Sequence, residues 1–148
     1  MTIIINKDLK MINVLGFSGS LRKASSNSGL LRAAKDVLPE NMTLEIFDLS
    51  SIPLFNLDIE SNLPEPVRLL REKITSADAL IIAVTEYNYS ISGVLKNAID
   101  WASRPAQNSS LNGKPFAMMG AGGGLGTARA QYHLRQIAVW VMKFKSEI

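Results

Sequence analysis

Residues 16–27 read GFSGSLRKASSN. The segment places Ser20, Arg22, Ser25, Ser26 and Asn27 beside two glycines, with no acidic residue among them. Small hydroxyls, free backbone amides and one guanidinium suit an anion, above all a phosphate, held at the start of a helix. Capping alone also accounts for any single Ser or Asn at such a place. A second polar segment, TEYNYSISG (85–93), offers Glu86, Tyr87, Asn88 and Tyr89. Two phenol rings beside an amide and a carboxylate suit the border of a flat heteroaromatic ligand; an oligomer contact or the cover of a sheet edge is the alternative. A third segment, GAGGGLG (120–126), contains Gly122 and Gly123, where backbone can approach a ligand closely, or can simply turn into a helix.

Other chemistries lack their residues. Gly113-Lys114 is followed by Pro115, so no P-loop is present, and neither glycine cluster has the spacing G-x-G-x-x-G. Ser18 does not lie in G-x-S-x-G. The single histidine, His133, lies in a helical stretch far along the chain from any acid pair, which suits a surface or interface place better than a catalytic triad. There is no cysteine and no His/Asp/Glu cluster with ligand spacing, so no metal site is expected.

The three segments need elements to position them, and the hydrophobic pattern supplies these. Predicted strands are 11–17, 42–49, 79–84 and 115–120; the third and fourth are apolar throughout, as strands buried on both faces are. Predicted helices are 27–38, capped by Asn27 or Ser28 and closed by Pro39, then 65–77, 93–103 and 127–141. Strand and helix alternate, which gives an α/β open parallel sheet with helices on both faces. With strand order 2-1-3-4 the order reverses between strands 1 and 3, and ligands bind there outside the carboxyl ends. The first two polar segments then face each other across one crevice. Residues 139–148 are expected to form at most a short fifth strand.

The chain has 148 residues, 47% of them hydrophobic and 20% charged, with a formal net charge of +3. This suits one soluble domain over 1–148. The basic residues are scattered, so no nucleic-acid surface is read. No apolar run is long enough to cross a membrane, and MTIIINKDLK has too short an apolar core for a signal peptide, so a cytoplasmic location is expected.

GFSGSLRKASSN, IPLFN, TEYNYSISGVLKNAIDWASRP and GTARAQYHLRQ together resemble the NADPH-dependent FMN reductases, flavodoxin-like quinone, chromate and azo-dye reductases. The likeness runs from about Met11 to Trp140. It implies non-covalent FMN, with Ser20, Arg22, Ser25, Ser26 and Asn27 at the phosphate and ribityl chain. Glu86, Tyr87, Asn88 and Tyr89 fall at the ring, and Gly122 and Gly123 on the third flavin-side loop. It implies ping-pong electron transfer from NADPH or NADH to quinones, azo compounds, flavins or metal oxyanions, with no catalytic residue of the protein's own. It further implies a homodimer or homotetramer through the third and fourth helices, placing Trp101, Tyr132 and His133 at the contact.

Three departures accompany the likeness. Thr85 and Ser92 stand where the family has prolines, which leaves the ring loop less constrained. The third loop is one residue short. The family continues into a fifth strand and a closing helix; here residues 139–148 are expected to supply only a short or partial fifth strand and no closing helix, so strand 4 is expected to expose an edge. A non-catalytic flavin-binding protein and a serine hydrolase on the same fold are the rival readings.

Overall fold

The computed structural model describes residues 10–141. Residues 1–9, with most of the stretch read against a signal peptide, and residues 142–148, with most of the expected fifth strand, lie outside the described part.

Four strands form one parallel sheet: β1 (Ile12–Ser18), β2 (Met42–Phe47), β3 (Ala79–Ala83) and, after a short hairpin described below, β6 (Phe116–Met119). Their order is β2-β1-β3-β6, the expected 2-1-3-4 when the hairpin is set aside. The helices are α1 (Ser26–Asp36), α2 (Glu65–Ser76), α3 (Gly93–Ala102) and α4 (Ala128–Val141).

The period-two alternation of a strand sends neighbouring side chains to opposite faces. Leu15, Phe17, Leu80 and Ile82 therefore share one face and bury against Leu70 and Ile74 of α2, Leu95 and Ile99 of α3, and Leu134 of α4. The opposite face carries Gly16, where an added Cβ would touch Leu31, Leu44 and Ile81 at 3.0–3.1 Å. Gly16 thus lets α1 sit close over β1. This face is not fully covered: Ile46 and Ala117 are exposed.

At the far end of the sheet Asp78 accepts a hydrogen bond from the Asn13 N–H at 2.9 Å, and the Asp78 N–H donates to Asn13 O. The Asn13 amide, helped by Lys10 and Lys114, holds the Asp78 carboxyl below its usual pKa.

Three expectations change. Helix α1 begins after Ser25, not Asn27, because the Ser25 hydroxyl accepts from the Ser28 N–H at 3.2 Å and caps the first turn. The helix stops at Asp36, so Val37 is an exposed C-cap rather than part of the buried stripe; Leu38, next to Pro39, is disfavoured from helical geometry. Residues 139–141 continue α4 as helix, so that part of the expected fifth strand is absent.

Candidate functional site

All three polar segments leave the carboxyl ends of β1, β3 and β6 and meet around a cavity of about 660 Å³. Its lining includes Ser20, Arg22, Ser25, Ser26 and Asn27, then Glu86 through Tyr89, then Gly122 and Gly123. Every site residue named from the sequence therefore reaches one crevice, at the place where the strand order reverses. Thr85, Ala121, Gly126 and Thr127 also line it, although the sequence reading names none of them as a site residue.

At one end the first turn of α1 points its amides at the cavity. The Ser26 and Asn27 N–H groups meet no acceptor among the described residues. The same holds for the Arg22 guanidinium and the Ser26 hydroxyl. These unpaired donors, with the positive end of the helix dipole, form an anion cradle. Ser20 and Ser25 hold the loop in shape: Ser20 Oγ accepts from Arg22 N at 3.3 Å, and Ser25 N donates to Arg22 O at 3.0 Å.

At the other end the expected loop is a hairpin, β4 (Glu86–Tyr87) and β5 (Ser90–Ile91), closed by Asn88 and Tyr89. Both turn residues have positive φ, 50° and 63°, the backbone of a two-residue type I′ turn. Asn tolerates this conformation; for Tyr it is strained by about 1–3 kcal/mol. The Arg129 guanidinium lies 4.1 Å from the Tyr89 ring centroid and holds the ring from one side. Both tyrosines remain exposed at the cavity mouth.

Among the described residues, the only carboxylate lining the cavity is turned away from ligand duty. Glu86 Oε2 accepts from the Arg129 and Ala130 N–H groups at 3.1 and 3.0 Å, and Oε1 lies 3.8 Å from Arg129 Nη1. Its side chain is 14% exposed. Glu86 therefore caps α4 from another loop. A basic residue in a helix's first turn opposes the dipole, so Arg129 was the sequence signal that an acid had to arrive from elsewhere.

Thr85 and Ser92 do not leave their loop slack. Ser92 caps α3 by accepting from the Leu95 N–H at 3.2 Å, and its hydroxyl donates to Gly19 O at 2.6 Å. Thr85 Oγ1 accepts from Asn27 Nδ2 at 3.3 Å. Each hydroxyl ties the ring side to the anion side. In the third loop Gly120 is needed for contact within the protein: an added Cβ would lie 1.9 Å from Thr127 Oγ1 and 2.8 Å from Val84 O. At Gly122 the obstacle would be Gly126 O at 2.6 Å.

His133 has a partner that sequence separation conceals, since its Nδ1 lies 3.0 Å from Ser90 Oγ. No carboxylate among the described residues bonds its other nitrogen, so no Ser-His-acid relay is formed. Trp101 is 0% exposed within this one chain, so it belongs to the core and not to the subunit contact. Tyr132, Val139 and Trp140 are exposed on α4, Trp140 by 82%.

The cavity fits FMN on its own terms. Its volume lies within the roughly 300–1,000 Å³ of cofactor-sized pockets. Unpaired donors gather at one end and two phenol rings at the other, as a phosphate and a flat ring require. The third loop brings Ala121 and the side-chain-free Gly122, Gly123 and Gly126 to the remaining wall.

Comparison with known proteins gives the same picture. The sequence model described as NADPH-dependent FMN reductase matches residues 12–146. An NAD(P)H-dependent FMN reductase from Pseudomonas aeruginosa is 54% identical over 132 residues, covering 88% of this chain and 71% of that protein. An NADPH:quinone oxidoreductase from Arabidopsis thaliana is 48% identical over 136 residues, covering 88% and 68%. Among solved structures, the flavoenzyme NAD(P)H:(acceptor) oxidoreductase FerB from Paracoccus denitrificans superimposes with a TM-score of 0.84 at 34% identity, covering 89% of this chain and 73% of that one.

Proposed function

Because the chain belongs to the NADPH-dependent FMN reductase family, we propose that it is an FMN-dependent NAD(P)H oxidoreductase that reduces quinones. The observation that carries this reading is the single cavity joining an unpaired anion cradle to a tyrosine-bordered hairpin. Bound FMN supplies the redox chemistry, accepting an electron pair from a nicotinamide and yielding it to the acceptor. The protein's part is placement. Arg22 and the Ser26 and Asn27 amides hold the phosphate, with the Ser20 and Ser26 hydroxyls beside it. Backbone at 87–89 and at Gly122 and Gly123 borders the ring. Tyr87 and Tyr89 close the mouth against water and leave a slot for a planar acceptor. Anaerobic titration of the FMN-loaded protein tests this. NADPH should bleach the flavin absorbance and a quinone should restore it; a protein that takes up no FMN, or whose flavin NADPH leaves oxidised, would contradict the reading.

Within this reading Tyr87 serves the acceptor more than the cofactor. Tyr87→Ala should lower quinone kcat/KM by about 3–10-fold, in line with roughly 0.5–1.5 kcal/mol for one aromatic contact. FMN affinity should change less. Equal values for variant and parent in both measurements would make the ring a surface feature only.

The exposed apolar side chains of α4 support a homodimer or homotetramer in which α3 and α4 meet a second copy. Substituting Trp140 by Glu should then shift the mass seen by light scattering toward monomer. A parent protein that is already monomeric at micromolar concentration would rule this contact out.

A further inference from the structure

The donors and acceptors around Asn27 answer a question the flavin reading leaves open, namely how the two ends of the cavity stay in register. Asn27 sits in the first turn of α1 and is 5% exposed. Its Nδ2 donates to Thr85 Oγ1 at 3.3 Å and to Ala121 O at 3.2 Å. Its Oδ1 accepts from the Ala121 N–H at 2.8 Å. Both amide hydrogens are therefore used by the protein, and the side chain has no donor left for a ligand. Its partners lie 58 and 94 residues away, on the two other segments that wall the cavity.

The pair with Ala121 is reciprocal. The side-chain amide meets both polar groups of that residue, as a neighbouring strand would, just past the end of β6. The backbone N–H of the same Asn27 is one of the unpaired donors of the anion cradle. One residue thus has its main chain at the phosphate end and its side chain locked to the third loop and to Thr85, next to the hairpin. Moving one wall alone would strand a buried amide without partners, which is costly. The three walls are consequently ordered together or not at all.

We propose that Asn27 is a positioning residue whose side-chain amide couples the anion end of the cavity to its ring end. An anion seated on the α1 amides orders Asn27, Ala121 and Thr85, and so prepares the ring end before the ring arrives. Linkage requires the reverse as well: a bound ring tightens the anion site by the same factor. The proposal rests on the flavin reading above, and its test separates the two.

Riboflavin, which lacks the phosphate, is titrated into the apo-protein by fluorescence quenching with and without saturating inorganic phosphate. In the parent, phosphate should tighten riboflavin binding by about 5-fold or more, the low end of ordinary site-to-site coupling. In Asn27→Ala that factor should fall to about one. Thr85→Val keeps the reciprocal pair with Ala121 and loses one bond, so its factor should lie between; it also serves as the deciding variant if Asn27→Ala fails to fold. A parent whose riboflavin affinity ignores phosphate overturns the proposal. So does a parent-like factor in Asn27→Ala, or in Thr85→Val where that variant decides. A parent that binds neither riboflavin nor FMN overturns the flavin reading itself, and this inference with it.

Discussion

Arg22→Ala is expected to weaken FMN binding by roughly 10–150-fold, the equivalent of about 1.5–3 kcal/mol for a lost charge-assisted hydrogen bond. Arg22 is the one guanidinium at the anion end of the cavity, and it pairs with no acid among the described residues. Nothing among the described residues therefore competes for it, and its interaction is available to a phosphate. Glu86, the single cavity-lining carboxylate among the described residues, is occupied by the α4 amides. Riboflavin should lose little affinity in the same variant, because it lacks the group that Arg22 would meet. Raising the ionic strength should shrink the difference between parent and variant for FMN. Parallel fluorescence titrations decide the point: equal losses for FMN and riboflavin would remove Arg22 from the phosphate site.

A second large effect is expected far from the cavity mouth. Trp101→Ala should lower the free energy of unfolding by about 3–5 kcal/mol, as deletion of a fully buried large aromatic does. Trp101 packs edge-on against Phe55, with centroids 4.9 Å apart and planes at 72°. Its indole N–H donates to Pro53 O at 2.8 Å. Asn97 holds the same stretch, donating to Pro53 O and accepting from the Phe55 N–H. The connection after β2 is thus pinned to α3 by two side chains one helical turn apart. Trp101→Phe refills most of the volume and leaves Pro53 O its bond from Asn97, so it should cost less than half as much. Urea unfolding with an unchanged m-value measures both. A loss below about 1 kcal/mol for the alanine variant would be incompatible with this packing.

The elements and their order were legible in the sequence because they depend on near neighbours. The apolar run ALIIAV, the helical stripe Val67, Leu70 and Ile74, and the alternation of strand with helix state a parallel sheet whatever else the chain does. The order 2-1-3-4 makes the residues around Ser20 and Glu86 face each other, since ligand sites of open sheets form at the reversal; Gly122 and Gly123 are placed with them by the family resemblance alone. What the sequence alone left undetermined is the partner of each polar side chain. Asn27 and Glu86 have residue types that suit a ligand, yet their polar atoms face Ala121 and the start of α4. Trp101 has the type of an interface residue and lies in the core. His133 meets Ser90 across 43 residues. The turn at Asn88 and Tyr89 lacks the glycine that advertises a type I′ hairpin, and the Arg129 that stacks on Tyr89 comes from another element. A hydrogen bond acts over about 3 Å, so its partner is set by which loops the folded sheet brings within that distance. Residue type states what a side chain can bind; only the packed loops decide whether it binds the protein or leaves a donor free for the ligand.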